Sequence, residues 1–206
     1  LAELFVKYEV TVLSDEIWSD LVFPGHKHTP LASLSPEIAD RVITFMAPSK
    51  TFNLAGLYLS DVIIPNQELR DRFTNQMERT AQVHLNVFAP VAAEAAYREG
   101  QEWLGELLTY LTENVAFLKS ELAKITPKIR VVQSEGTFVV WLDCRELDIP
   151  AEELNKFFVE KAGIALNDGA MFGSAGVGFQ RMNIGCPRSV IKDAVERIAK
   201  ALQDHK

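Results

Sequence analysis

Asp15 and Lys50 are the residues of this sequence whose types and settings could do chemistry together. Lys50 sits in Ala47-Pro48-Ser49-Lys50-Thr51, just past the apolar run Val42 to Met46. Asp15 sits in Ser14-Asp15-Glu16, just past a second apolar run, Val10 to Leu13. Both runs have the length and branched content of buried strands. A loop with Pro24, Gly25 and Pro30, then a short helical stretch at Pro36 to Asp40, leaves enough chain between them for a parallel crossover. Side chains just beyond the carboxyl ends of parallel strands lie where open α/β sheets bind ligands. A lysine and a carboxylate there suit pyridoxal phosphate. The amine can condense with the aldehyde, and the carboxylate can keep the pyridine nitrogen protonated so that the ring accepts electrons. From spacing alone, a plain Asp15–Lys50 ion pair at the sheet edge is the more economical reading.

The elements that must hold these residues follow from pattern. A third strand is expected at Leu59 to Ile64, closed by Pro65-Asn66. Only residues 48 to 56 precede it, too few for a parallel crossover, so it should be antiparallel and at an edge. Gln67 to about Arg98 reads as helical, kinked or divided at Pro90. Gln101 to Ile125 carries a 3.6-residue stripe of Leu104, Leu108, Leu111, Val115, Leu118, Leu122 and Ile125. Beyond Pro127 the pattern predicts strands at Ile129 to Gln133, Thr137 to Leu142 and Arg181 to Ile184. It also predicts helices at Ala151 to Lys161 and Ser189 to Leu202, with a glycine-rich loop from Gly169 to Gly178. The expectation is an α/β lobe over 1–100 followed by an α+β lobe over 101–206. Leu1, Leu4 and Phe5 suggest the last turns of a helix feeding the first strand, with no capping signal before it, as in a chain that begins within a fold.

Composition narrows the class. The 206 residues carry a net charge of −7, which argues against nucleic acid or an anionic membrane as the main partner. The two cysteines, Cys144 and Cys186, make a disulfide framework improbable and a reducing cytoplasm the default. No secretory leader is expected from the sequence as read, and it holds no apolar run long enough to span a bilayer.

Three motifs carry a resemblance. Ser14-Asp15-Glu16-Ile17-Trp18, then "APSKTFNLAGL", then "GFQRMNIGCPRS" resemble, in that order, signatures of fold-type I pyridoxal-phosphate enzymes of the aminotransferase class I/II superfamily. "FPGHKHTPLASLS", "GIALNDGAMFG" and "RMNIGCPRS" resemble the MalY/PatB branch, which are cystathionine β-lyase-like carbon–sulfur lyases. The resemblance runs over essentially the whole chain and implies a C-terminal portion of such an enzyme. It implies residues 1–100 as part of the cofactor-binding large domain with a mostly parallel sheet, and 101–206 as the small domain. Lys50 matches the lysine that bonds the cofactor and acts on the substrate, and Asp15 the partner of the pyridine nitrogen. Arg181 matches the arginine that grips the substrate α-carboxylate, a task its planar fork suits. The implied reaction is β-elimination from L-cystathionine or a related S-substituted cysteine, in a cytoplasmic homodimer of methionine metabolism. An aminotransferase on the same scaffold, a MalY-like regulatory binding protein and an inactive fragment are the alternatives.

Two departures favour the lyase branch. Trp18 stands where many aminotransferases of the superfamily have a tyrosine on the cofactor's ring hydroxyl, and Tyr58 where many have an arginine on the phosphate. Ser49 and Tyr58 could offer hydroxyls to the phosphate, while Ala47 replaces the motif's usual earlier serine. His26 and His28 form an H-x-H pair without an evident third ligand, so no metal is expected. Thr137 falls where the family brings backbone near substrate. Cys186 reads as a small buried residue, and Asn183 and Arg188 flank the Arg181 strand, Arg188 as a structural residue. Ala55 and Gly56 are expected to let the chain turn sharply after Lys50.

Overall fold

A computed structural model describes residues 1–82 and 84–204. The chain divides into two compact units, Leu1–Glu106 and Leu107–Lys206.

In the first unit, helix α1 (Ala2–Lys7) leads to strand β1 (Val12–Asp15). Helix α2 (Pro36–Ala39) and strand β2 (Val42–Met46) follow. A one-turn helix α3 (Pro48–Thr51) carries Lys50 and is followed by strand β3 (Asp61–Ile63). Helices α4 (Gln67–Arg79) and α5 (Phe88–Glu99) complete it, with the start of α6 (Gln101–Ile125). The sheet order is β1-β2-β3. β1 pairs parallel with β2, Asp15 opposite Phe45, and β3 pairs antiparallel with β2 at the edge, as the connection lengths require. Leu21, Ile38 and Val42 are fully buried at its core. Caps appear where sequence places them. Ser35 Oγ accepts from the Ile38 amide, with Pro36 at the first turn, and Asn66 Oδ1 accepts from the Leu69 amide.

Three boundaries differ from expectation. β1 runs from Val12 to Asp15 rather than from Val10 to Leu13. Val10 instead donates its amide to Phe5 O (2.9 Å) to close α1, after Glu9 has turned at φ +53. Pairing with β2, rather than apolarity, then draws polar Ser14 and Asp15 into the strand. β3 is shorter than Leu59 to Ile64 because Tyr58 is left-handed (φ +53). The helical stretch from Gln67 divides after Arg79, where Thr80 caps and Ala81 has φ +54, not at Pro90. Pro90 lies in the first turn of α5, where an amide has no intrahelical partner to lose. Val83, inside that predicted span, lies outside the described residues.

The second unit takes the rest of α6, then β4 (Arg130–Val131), β5 (Val139–Asp143), α7 (Ala151–Lys156) running into a wider turn at Phe157–Lys161, β6 (Asn167–Asp168), β7 (Phe179–Asn183) and α8 (Arg188–Asp204). Its sheet is antiparallel, ordered β4-β5-β7-β6. Alternation along β5 and β7 buries Val140, Leu142, Gln180 and Met182 on one face. It leaves Trp141, Phe179 and Arg181 half-buried on the other. The stripe of α6 narrows here to Leu111, Leu118 and Leu122, all essentially buried, with Leu108 and Val115 half-exposed. β6 is two residues long and was not expected. Such a strand has no alternation to read and exists only through its pairing with Arg181 and Gln180.

Candidate active site

Lys50 is placed by the abrupt end of β2. Ala47 is extended (φ −160, ψ 147), Pro48 starts the one-turn helix, and Phe52 and Leu54 donate their amides to Pro48 O (2.8 Å) and Ser49 O (3.1 Å). The left-handed residues of this turn are Asn53 (φ +56) and Tyr58, not Gly56, around which a side chain would find open space. The small residues at 55 and 56 are therefore not what bends the chain. The Lys50 amine lies 5.7 Å from the centroid of the Trp18 ring. Next to it, fully buried Thr51 donates from Oγ1 to Asp20 Oδ2 (2.9 Å). The loop after β1 and the turn after β2 are thus joined by two side-chain contacts on either side of the strand ends.

Asp15 ends β1 with its side chain exposed and Oδ1 accepting from the Ile17 amide (3.2 Å). Among the described residues, Asp15 and Lys50 form no ion pair with each other or with any other group. The plain ion-pair reading therefore fails. Ser49 is half-buried and Tyr58 is 88% exposed, and neither hydroxyl is hydrogen-bonded among the described residues.

Sequence reasoning missed Glu16. Its carboxylate is 6% exposed. It accepts from Ser14 Oγ (2.9 Å) and the Leu31 amide (3.1 Å), and Oε2 meets His28 Nε2 at 2.8 Å. Burial pushes its pKa up, but the bonds from His28, Leu31 and Ser14 and the charge of His28 outweigh that and hold it below the usual carboxylate value. His28 is thereby engaged with Glu16. Among the described residues no cluster of three or more His, Cys, Asp or Glu could hold a metal ion. Behind the Lys50 turn, Phe52 meets Tyr97 edge-on (5.9 Å), and the Tyr97 hydroxyl donates to Asp61 Oδ2 (3.2 Å). Burial, with the charges of Asp61 and Asp20, pushes the Tyr97 phenol up to about 12.

Arg181 belongs to the second unit, paired with Trp141 across β5 and with Asn167 across β6. Its guanidinium carbon lies 4.4 Å from the centroid of Phe172, and Nη2 donates to Asn167 Oδ1 (3.0 Å). Nε is shielded from solvent and donates no hydrogen bond. Phe172 stands edge-on to Trp141 at 5.3 Å. Asn167 and Phe172 were also missed. Their contacts to Arg181 cross 14 and 9 residues, and no local pattern marks them. Thr137 has φ +70, its Oγ1 donates to Val139 O (3.1 Å), and it delays the start of β5. Asn183 Oδ1 accepts from the Gly185 amide (2.7 Å). Arg188 spans Asn114 Oδ1 (3.1 Å) and Glu113 Oε2 (2.8 Å) while Asn114, fully buried, donates to Ile184 O and Cys186 O. Burial raises the thiol of Cys186, and burial with the Asp143 charge lifts that of Cys144 to about 12.

Lys50 and Asp15 thus lie at the carboxyl ends of adjacent parallel strands, and among the described residues neither is in a salt bridge. The aminotransferase class I and II model matches residues 1–198, and the chain belongs to that family. It is 43% identical over 206 residues to cystathionine β-lyase PatB of Bacillus subtilis, covering 98% of this chain and 52% of that protein. It is 31% identical over 204 residues to protein MalY of Escherichia coli, covering 98% of this chain and 52% of that protein. The crystal structure of cystalysin from Treponema denticola, which contains pyridoxal 5′-phosphate, superposes with a TM-score of 0.96 at 36% identity, over 100% of this chain and 52% of that one. The chain thus spans about half the length of the relatives it matches.

Proposed function

We propose that this chain supplies the lysine edge and the carboxylate-binding arginine of a pyridoxal-phosphate-dependent carbon–sulfur β-lyase. Its substrate would be L-cystathionine or a related S-substituted cysteine, and its products a thiol such as homocysteine, pyruvate and ammonia. The observation that carries this is Lys50, an amine without an ion-pair partner among the described residues, set over Trp18 at the carboxyl ends of a parallel strand pair. The likeness to cystathionine β-lyase PatB supports the lyase chemistry, and that to cystalysin, which contains pyridoxal 5′-phosphate, supports the cofactor.

The residues fit the cofactor. Lys50 is free to bond its aldehyde, Asp15 presents an exposed carboxylate one strand away for the pyridine nitrogen, and Trp18 offers an aromatic ring beside the amine. Ser49 and Tyr58 carry hydroxyls that the phosphate could use. Bound pyridoxal phosphate would supply a ring that draws electrons from the substrate Cα. Lys50 would take the Cα proton as general base. Asp15 would hold the proton on the ring nitrogen. Arg181 would bind the α-carboxylate. With that proton removed, the Cβ–S bond would break, sulfur leaving with the bonding electrons as a thiolate, and the unsaturated amine left behind would take up one water to give pyruvate and ammonia. Residues 1–100 would form part of the cofactor-binding domain and 101–206 the small domain. A homodimer in the cytoplasm is the proposed setting, and the two free cysteines support a reducing compartment.

The test is an absorption spectrum with added pyridoxal phosphate, before and after borohydride, beside Lys50→Ala. A visible band lost on reduction and missing in the variant is expected. Release of pyruvate and ammonia from cystathionine follows. Amine transfer to a keto acid with no ammonia would turn the reading to an aminotransferase, and no band with intact folding would sink it.

A further inference from the structure

Arg181 is the one residue proposed to bind substrate, and its surroundings are built rather than incidental. Among the described residues, only Nη2 of its donors is engaged, by Asn167 Oδ1 at 3.0 Å. One face of the guanidinium is covered by Phe172, centroid 4.4 Å away, and Phe172 is itself braced edge-on by Trp141 at 5.3 Å. Nε is out of reach of solvent and unpaired, an arrangement that costs free energy unless an acceptor arrives at the guanidinium. No carboxylate of this chain neutralises Arg181 among the described residues. The side chain is thus fixed in orientation by a neutral amide and an aromatic face, neither of which competes for its charge. An aspartate or glutamate in place of Asn167 would hold it as well and would spoil it for an anion.

We propose that Asn167 and Phe172 are positioning residues that preset Arg181 as a carboxylate fork, so that affinity for the α-carboxylate depends on them although neither touches it. This rests on Arg181 being the carboxylate-binding residue.

The experiment compares binding of 3-(ethylthio)propanoate and 3-(ethylthio)propanamide, which carry no amine to react and differ in the carboxylate charge, to the cofactor-loaded full chain by calorimetry. The proteins are the parent chain, Asn167→Ala, Phe172→Leu and Arg181→Gln, with melting temperature and cofactor absorbance as controls. The expected result is a preference for the carboxylate ligand that vanishes in Arg181→Gln and falls about 3- to 10-fold in each of the other two, the order of one hydrogen bond for Asn167 and of one cation–π contact for Phe172. Cofactor absorbance should stay unchanged. A purely structural role would lower the melting temperature and weaken both ligands equally, and that outcome overturns the proposal. So does a preference lost only in Arg181→Gln, which leaves the Arg181 reading intact. A parent chain with no preference between the ligands overturns both.

Discussion

Glu16→Gln tests whether the buried carboxylate beside Asp15 stabilises the loop that follows β1 through its charge. The substitution keeps the shape and the acceptor that serves Ser14 Oγ and the Leu31 amide, and removes the charge opposite His28 Nε2 at 2.8 Å. A hydrogen bond to a charged partner is worth about 1.5–3 kcal/mol against about 1 for a neutral one, so the loss should be about 1–2 kcal/mol. For a chain of this size that is a fall in melting temperature of roughly 2–8 °C. The pH dependence has a definite sign. The folded-state pKa of Glu16 lies below its ordinary 4.5, so the stabilisation is present above that value and is lost as pH falls through the folded pKa. Urea melts of both proteins at pH 7 and at several steps below 4.5 should show a gap that closes on acidification. His28→Gln should cost a similar amount, and the double variant less than the sum. Equal stability at pH 7, a gap constant across acid pH, or full additivity would refute the reasoning.

Other expectations follow from packing and titration. Gly176→Ala would place a Cβ 2.1 Å from Gly169 O, in the loop that carries Phe172, and should destabilise by about 1–3 kcal/mol in urea melts. Asn114→Leu removes donors to Ile184 O (3.0 Å) and Cys186 O (3.2 Å) and an acceptor from Arg188, so a loss of about 2–3 kcal/mol is expected by the same assay. Tyr97 should ionise only near pH 12 in an ultraviolet titration, and Tyr97→Phe should remove that step. Cys144, 2% exposed and with its thiol raised to about 12, should resist a disulfide reagent at pH 8 until the chain unfolds, while the part-exposed Cys186 reacts slowly.

Local rules located what local physics controls. The limits of β2 and α6 match expectation because an apolar run ends at a proline in one case and a long stripe of 3.6 period fixes the other. The antiparallel edge strand β3 followed from chain length alone, since residues 48 to 56 cannot cross a sheet. Rules failed where a partner sets the outcome. β1 was displaced by two residues because its extent is decided by hydrogen bonds to β2, and β6 was missed because two residues carry no period. Pro90 was given a break that belongs to Thr80 and Ala81, since proline disrupts a helix interior and not its first turn.

By itself the sequence determined the residue types at the edge proposed to hold the cofactor. Asp15 and Lys50 after strand-like runs, and Arg181 inside its motif, are short-range features that chain connectivity places at strand ends. Tertiary structure alone decided how those residues are held. It kept Asp15 and Lys50 from pairing with each other, set Trp18 beside the Lys50 amine, and buried Glu16 against His28 twelve residues away. It gave Arg181 the neutral partners Asn167 and Phe172 rather than a carboxylate. The reason is that a side chain's charge environment comes from whatever the fold packs against it. Those neighbours come from other strands and loops, at separations over which neither hydrophobic period nor turn chemistry carries information.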